Sequence, residues 1–261
     1  MYRWCAKHGR LVMFLWSMPI SAIFWTLFLY IEAPIWMPAL FTLFMAFTSW
    51  GFVNSCARQL LLRAEKPLME QCDPYPLLKE TEDQMSYNRS KTYAQILLIN
   101  YCCALRNIGE YNKVLEKMES INIDKYAGAM PITKVVYYNN LADIYLCLNE
   151  IEKAEIWQNK SIQIQHDLKN NKLMHKFSAT VQLNVAEIAY HKKDFDKAIE
   201  ILDNTAETNM RDAVYKALLF AKIYIAQNKI EEAKTKLQFV IEEGNKLIDV
   251  QIAKELLINL S

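Results

Sequence analysis

Hydrophobic positions are distributed unevenly along the chain, and the first 57 residues differ from all that follow. Two apolar runs, Leu11 to Ile31 and Ala39 to Ala57, are separated by a short break. Glu32 is the only charged residue between Arg10 and Arg58. Each run has about 20 residues, which is the length that an α-helix needs to cross a hydrocarbon core of roughly 30 Å. The pattern therefore predicts a transmembrane helical hairpin.

From Arg58 onward the chain is charged, and its apolar residues recur at the spacing of amphipathic helices. After Pro67 the chain is predicted to be less regular, from Leu68 to Ser90. Pro74 and Pro76 indicate a turn in this stretch, because two prolines so close together cannot lie inside a helix. A short helix is predicted from Leu77 to Met85. A single proline follows residue 90, so helices should continue to the end. The predicted fold class is all-α, an N-terminal transmembrane helical hairpin followed by an α-solenoid, with domains at 1–10 (basic N-terminus), 11–57 (hairpin), 58–90 (juxtamembrane helix and linker) and 91–261 (helical repeats with a C-terminal capping helix).

The distribution of Lys and Arg predicts the orientation of the hairpin. The first span is preceded by Arg3, Lys7 and Arg10, the second is followed by Arg58, Arg63 and Lys66, and the loop between the spans has no basic residue. Cytoplasmic flanks carry the excess of positive charge, so both termini and the large domain are expected in the cytoplasm. A cleaved signal peptide is the alternative. Against it, the first run exceeds the about 7–15 apolar residues of such a peptide, and a second span follows.

Small residues in the spans offer a way for the hairpin to associate with other helices. Ser17 and Ser21 lie four residues apart in the first span, and so do Gly51 and Ser55 in the second. Small residues at this spacing let helix backbones approach closely in a membrane. A homo- or hetero-oligomer formed through the hairpin is one interpretation, and chance occurrence is the other.

The six cysteines are typical of a reducing compartment. They form no C-x-x-C pair and no spacing of a disulfide framework. Cys102 and Cys103 are adjacent and would point to different faces of a helix. Cys5 and Cys56 flank the predicted membrane segment, where acylation and simple burial are the alternatives. This agrees with a cytoplasmic domain.

Charge composition argues against two classes of function. The chain has 30 Lys and Arg against 29 Asp and Glu, a net charge of +1. The sequence has no basic block of the kind that phosphate contacts require, so nucleic acid is not expected as a partner. Neither predicted span contains an ionisable residue, which disfavours ion or proton transport. The expected role of the hairpin is anchoring in the lipid bilayer.

After residue 90 the chain contains four segments with one pattern: a helix, a short turn, and a second helix with a small residue near its start. The second segment carries the pattern most clearly, with Tyr138, Leu141, Ala142 and Tyr145 on the first helix and Ala154 on the second. These residues resemble the tetratricopeptide repeat. The resemblance implies a superhelix in which small residues let the paired helices approach and each pair covers the next.

The other three segments match this repeat more loosely. The matching positions are Tyr101, Cys102, Leu105 and Val114 in the first, Val185, Ala186 and Ala198 in the third, and Phe220, Ala221, Tyr224 and Ala233 in the fourth. The small positions of the second helices are 40, 44 and 35 residues apart, whereas the family period is about 34. The extra residues lie in links near 124–131 and 166–175. Most of the family's turn glycines and its closing proline are missing, and a capping helix is predicted from Lys246 to Leu260.

No catalytic arrangement is found in the sequence. It has no P-loop, dinucleotide-binding, zinc-protease or nucleophile-elbow motif. The four histidines lack the spacing of metal ligands, and five glycines leave little scope for a phosphate-binding loop. Asp194 and Asp196 could suggest a cation site, but they occupy a turn where the repeat carries polar residues. The sequence therefore predicts no enzyme, no cofactor and no metal.

The resemblance implies that a protein or peptide partner binds the concave face lined by the first helices of the repeats. The residues expected there are Ile99, Asn139, Asp143, Leu183, Glu187, Tyr190, Lys222 and Ile225. Relatives that clamp terminal carboxylates use Lys and Arg at the places held here by Ile99, Leu183 and Glu187, so that clamp is not expected. A solvated helix face without a partner is the alternative.

Three functions are compatible with these features. The first is a membrane-anchored scaffold or adaptor that mediates protein–protein interaction at the cytoplasmic face. The second is a regulatory receptor whose repeats bind a peptide or another ligand. The third is a structural subunit of a membrane protein complex.

Overall fold

The computed structural model describes residues 1–88, 90–126, 131–168 and 174–260. Every regular element within these ranges is a helix, which confirms the predicted all-α class. The chain divides into two compact units. The first unit comprises Met1–Ala64 with Ser86–Asn88, and the second comprises Glu65–Met85 with Arg89–Ser261.

The first unit is built on two long helices. The helices that begin in this unit are α1 (Tyr2–Lys7), α2 (Gly9–Tyr30) and α3 (Trp36–Gln71), the last of which continues into the second unit. Both long helices are apolar enough and long enough to cross a membrane. They cover the predicted spans, except that Ile31 caps the end of α2.

Helices α2 and α3 pack against each other in antiparallel directions. The Trp25 indole nitrogen donates a hydrogen bond to the Thr42 hydroxyl at 3.0 Å. Far along both helices, Gly9 lies so close to Val53 that a Cβ at position 9 would be 2.7 Å from a Val53 methyl group. From the first contact to the second, the residue number falls along α2, from 25 to 9, and rises along α3, from 42 to 53. The two helices therefore form a hairpin.

Helix α3 extends further than the sequence pattern indicates. The stretch from Leu68 onward is predicted to be irregular, but α3 runs to Gln71 with Pro67 inside it. Proline at this position removes one helical hydrogen bond, while the next residue, Leu68, is fully buried and its packing offsets that loss. The following helix, α4 (Tyr75–Tyr87), is two residues longer at each end than predicted, and the Asp73 carboxylate accepts a hydrogen bond from the Tyr75 amide at 3.1 Å.

The second unit contains four helix pairs and a final helix. The pairs are α5 (Lys91–Asn107) with α6 (Tyr111–Glu119), α8 (Pro131–Cys147) with α9 (Ile151–Asp167), α10 (Met174–His191) with α11 (Phe195–Asn204), and α12 (Met210–Ala226) with α13 (Ile230–Glu243); the short α7 (Ile123–Tyr126) follows the first pair and α14 (Ile248–Asn259) follows the last. Within the two links that hold the extra residues, 127–130 and 169–173 lie outside the described residues.

The turn inside every pair has the same backbone conformation. One residue has a positive φ in each turn: Gly109 at 90°, Asn149 at 60°, Lys193 at 61° and Asn228 at 58°. The amide of the following residue returns to a carbonyl five residues earlier, as from Glu150 to Tyr145 at 2.8 Å. This is the helix-ending motif that glycine serves best. Asn tolerates this region better than most side chains, which explains how the turns form with only one glycine.

Small residues at the predicted positions hold the paired helices together. Ala142 and Ala154 of the second pair are both fully buried. The equivalent residues of the other pairs are also at most 1% exposed: Cys102 and Val114, Ala186 and Ala198, Ala221 and Ala233. Side chains of this size allow close approach of the two helices, so the structure confirms the packing that the repeat pattern predicts.

The end of the second unit contacts its beginning. The Asn245 side chain donates a hydrogen bond to the Gln71 carbonyl at 2.7 Å, and the Lys246 ammonium lies 2.6 Å from the Asp73 carboxylate. The turn between α13 and α14 therefore lies against residues at the start of the unit, and α14 itself packs against α13 and α12. The end of the chain therefore returns to the first helices of the unit and lies close to the first helices of the repeats.

Candidate functional site

The eight residues predicted to bind a partner all lie on the first helices of the repeats. Five of them are buried: Ile99, Asn139, Asp143, Leu183 and Glu187. The other three, Tyr190, Lys222 and Ile225, are half-buried. The eight residues thus lie on neighbouring helices, but a partner could reach only the three side chains that are half-buried. That these residues bind a partner stays a prediction.

A buried arginine that the sequence analysis missed lies at the centre of this region. Arg106, near the end of α5, donates from Nε to Asp143 Oδ2 at 2.7 Å and from Nη2 to Asp143 Oδ1 at 2.9 Å. Its Nη1 is 3.8 Å from Asp249 Oδ2 on α14, and its guanidinium lies 4.8 Å from the Tyr215 ring on α12. One side chain of the first repeat therefore contacts the second repeat, the fourth repeat and the final helix.

The electrostatics of Arg106 follow from these contacts. Burial lowers the pKa of the guanidinium, but the Asp143 carboxylate acts together with Cys147, Asp249 and Tyr215 to outweigh burial and raise the pKa well above its ordinary value. A two-bond arginine–carboxylate pair is among the strongest side-chain hydrogen-bonding geometries. Removing one partner of a buried pair leaves an uncompensated charge, so Arg106 and Asp143 depend on each other.

A second buried ion pair joins the third and fourth repeats. Glu187 on α10 accepts a short hydrogen bond from the Tyr215 hydroxyl, and its other oxygen accepts one from the Lys222 ammonium at 3.1 Å. Burial raises the pKa of Glu187, but Lys222 and the Tyr215 hydroxyl outweigh it and hold the pKa below its ordinary value. Two of the predicted partner-binding residues, Glu187 and Lys222, therefore bind each other.

A third buried cation, Arg211, connects the fourth repeat to the first. Its Nε donates to the Asn107 side-chain oxygen at 3.3 Å, and its Nη1 donates to Asp212 Oδ1 at 3.2 Å. Burial and the nearby Arg106 lower the pKa of Arg211, but the Asp212 carboxylate together with Cys103 and Asp143 outweighs them, so the pKa is raised. We define the inner charge cluster as the seven charged residues that these contacts join: Arg106, Asp143, Glu187, Arg211, Asp212, Lys222 and Asp249.

The sequence carried a weak signal for this cluster. Arg106 is a charged residue in the apolar segment that begins at Ile96, and Arg211 opens a helix that is otherwise largely apolar. A long charged side chain on an apolar face indicates a buried partner, since unpaired charges are rarely buried. The identity of that partner could not be inferred, because Asp249 lies far along the chain from Arg106.

The cysteine side chains of the second unit have the properties of structural thiols. Burial raises the pKa of Cys102 to about 12 and that of Cys147 to about 12. Thiols with such pKa values stay protonated at neutral pH and are poor nucleophiles. Among the described residues, no group of three or more His, Cys, Asp or Glu side chains could hold a metal ion.

Comparison with known proteins identifies one repeat. Residues 135–167 match the family model described as Tetratricopeptide repeat, and they extend from the fifth residue of α8 to the last residue of α9. No curated protein matches the chain, and no solved structure matches it. The matched segment is the one in which the sequence resemblance is clearest, and the helix pairs on either side of it give the chain a fold similar to that of tetratricopeptide repeats.

Proposed function

We propose that this chain is a membrane-anchored scaffold or adaptor in which α2 and α3 insert into the bilayer and the repeats bind a protein partner. Tetratricopeptide repeats typically mediate protein interaction rather than catalysis, and the matched repeat supports a role of this class. The proposal extends this role to a membrane surface. It places both termini in the cytoplasm on the basis of the Lys and Arg distribution.

The observation that carries the anchoring proposal is the exposed apolar surface of the hairpin. In the most apolar 18-residue stretch of each helix, only 6% of the residues of α2 and 17% of those of α3 are buried. Large side chains such as Leu29, Leu43 and Phe47 are about two-thirds exposed, at 66%, 67% and 67%. A core helix of a soluble protein buries such residues, whereas acyl chains of lipids would cover them here.

The proposed contact with a partner is confined to the accessible part of the predicted face. Tyr190 at the end of α10 and Ile225 near the end of α12 are half-buried, and Lys222 lies one helical turn before Ile225. The Glu187–Lys222 bond places these two helices side by side at this level. We propose that a partner contacts Tyr190, Lys222 and Ile225 rather than the five buried positions.

Membrane anchoring can be tested on the full chain expressed in cells. The protein should remain with the membrane pellet after extraction at alkaline pH with carbonate and should dissolve in detergent. Its intact mass should include residues 1–57, because an anchor is retained and a signal peptide is removed. Release by carbonate, or a mature protein that begins after the first span, would refute the anchor.

Partner binding can be tested by cross-linking mass spectrometry on extracted membranes. Several cytosolic partners at low stoichiometry would support the adaptor, one membrane protein at equal stoichiometry would support a structural subunit, and the absence of protein cross-links would favour a ligand receptor. Ile225→Asp should reduce partner cross-links about tenfold, as at a central contact. Ile156→Asp is the matched control, because Ile156 is 56% exposed on the second helix of another repeat.

A further inference from the structure

One end of the hairpin carries a concentration of positive charge, the same charge that orients the proposed anchor. We define the basic collar as Arg3, Lys7, Arg10, Arg58 and Arg63, all of which are exposed. Residues 1–64 contain one acidic residue, Glu32, which lies in the loop at the opposite end of the hairpin. The collar therefore belongs to a unit that has almost no negative charge of its own.

The fold of the first unit brings the two parts of the collar to the same level. Helix α1 is followed directly by α2, and the Arg63 guanidinium on α3 lies 4.7 Å from the Tyr2 ring on α1. The contact between Gly9 and Val53 lies near the inner end of this region, one residue from Arg10. From that contact to Tyr2 the helices extend roughly 10 Å at 1.5 Å per residue. This length is comparable to the headgroup layer, which is roughly 5–8 Å thick on each side of a bilayer.

Most of the collar lacks a protein counter-charge. In the described parts of the chain, Lys7, Arg10 and Arg58 form no ion pair, whereas Lys66, a few residues further along α3, lies 3.5 Å from the Glu70 carboxylate. Positive charge next to a low-dielectric layer is stabilised by nearby anions. Trp4 is 50% exposed beside these residues, and exposed tryptophans of membrane proteins concentrate at the headgroup level.

We propose that the basic collar binds the headgroups of anionic phospholipids in the leaflet around it. The ligand is the phosphodiester of a lipid with net negative charge, contacted by the unpaired cations of α1, α2 and α3. This inference rests on the proposed anchoring, because the collar meets headgroups only if α2 and α3 span the bilayer. It adds a lipid preference that anchoring by apolar burial alone does not require.

The test compares two lipids of identical acyl chains on the full-length protein in neutral detergent. Phosphatidylglycerol and phosphatidylcholine are added in equal amounts, and bound lipid is counted by native mass spectrometry. Each unpaired cation strengthens binding to an anionic surface about fivefold, so phosphatidylglycerol should be preferred about tenfold or more. The triple variant Lys7→Gln, Arg10→Gln and Arg58→Gln, which removes the three cations without an ion pair, should reduce the preference to about twofold or less. Lys66→Gln is the matched control and should retain the preference, since Glu70 already compensates that charge.

The outcomes separate this inference from the anchoring proposal. Carbonate-resistant protein with equal binding of the two lipids would overturn the collar and leave the anchor intact. An equal loss of preference in Lys66→Gln would overturn the collar, because the effect would then follow net charge alone. Displacement of bound phosphatidylglycerol by an excess of inorganic phosphate would show a site for free anions and would also overturn it. Protein released by carbonate would refute the anchor itself.

Discussion

The hairpin and the repeat domain treat hydrophobic and charged side chains in opposite ways. In the hairpin, large apolar residues such as Leu43 are exposed, and charge is confined to the two ends. In the repeat domain, Arg106 and Asp143 are buried among the inner helices and bind each other. Each arrangement is costly in the surroundings of the other. The two regions therefore suit different surroundings, in agreement with the proposed membrane anchor.

The cost of burying charge explains why each ion of the inner charge cluster lies near a group of opposite charge. A buried ion is tolerated only where hydrogen bonds and opposite charges replace water. The three cations and four carboxylates of the inner charge cluster form ion pairs with one another, and these pairs join α5, α8, α10, α12 and α14. The cluster therefore links the first repeat to the last, and we expect these repeats to unfold together.

The largest expected effect comes from breaking the buried cluster. Arg106→Met would leave Asp143 and Asp249 without their cation in a buried site. We expect a loss of about 3–5 kcal/mol in the free energy of unfolding, as for other broken buried pairs. For a domain of this size the Tm should fall by roughly 10 °C or more. Circular dichroism of the full chain in detergent, followed on heating, measures the change.

The control for this variant is an exposed lysine of the same domain. Lys153 pairs with Glu150 at the surface of the second repeat, and Lys153→Met should cost at most about 1 kcal/mol. Equal shifts of the Tm for Arg106→Met and Lys153→Met would mean that the inner cluster is not the connection described here.

The converse change places a charge on the apolar surface of the hairpin. Leu43→Arg puts an arginine at an exposed position within the apolar part of α3. If lipid surrounds this surface, the change should disfavour insertion by about 2.5–3.5 kcal/mol. The fraction of protein that resists carbonate extraction should fall, whereas Leu43→Ala should leave it almost unchanged. Full membrane integration of Leu43→Arg would indicate that this surface does not face lipid.

The pH dependence of stability offers a smaller test of the buried carboxylates. The pKa of Glu187 in the folded protein lies below its ordinary value, so the unfolded state binds a proton more readily. The stabilisation is therefore present above the unfolded pKa and is lost as pH falls through the folded pKa. The Tm measured from pH 7 to pH 3 should fall less steeply in Glu187→Gln than in the unchanged protein. Parallel curves for the two proteins would contradict this role of Glu187.

The smallest expected effect concerns the turn of the third repeat. Lys193 adopts a φ of 61°, where its side chain is unfavourable and glycine is not. Lys193→Gly should stabilise the domain by about 0.5–1 kcal/mol. Lys197→Gly, inside α11, should instead destabilise it by about 1 kcal/mol. Chemical denaturation measures the free energy of unfolding of both variants. A loss of stability in Lys193→Gly would contradict the left-handed conformation of this turn.

The local features of the fold could be predicted from the sequence because neighbouring residues determine them. Ala142 and Ala154 lie in consecutive helices of one pair, and their spacing predicts their contact. The apolar runs likewise predict α2 and α3. The end of α3 was missed because Pro67 indicates a break, while the burial of Leu68, a tertiary effect, keeps the helix intact.

The inner face could not be predicted in the same way. Each repeat considered by itself leaves Asp143 and Glu187 on a face that solvent could reach. Their burial depends on α12 and α14 returning to α5, where Asp249 approaches Arg106. Contacts between residues so distant in sequence leave no periodic pattern, so the predicted groove included side chains that the structure buries.

A topology measurement on intact cells tests the central claim most directly. Ile35→Cys places a reactive thiol in the exposed loop of the hairpin, and Asp203→Cys places one on the exposed surface of the third repeat. A membrane-impermeant maleimide should label the loop cysteine in intact cells and the repeat cysteine only after permeabilisation. Labelling of Asp203→Cys in intact cells, or of neither variant until permeabilisation, would contradict a hairpin that spans the membrane with its repeats in the cytoplasm.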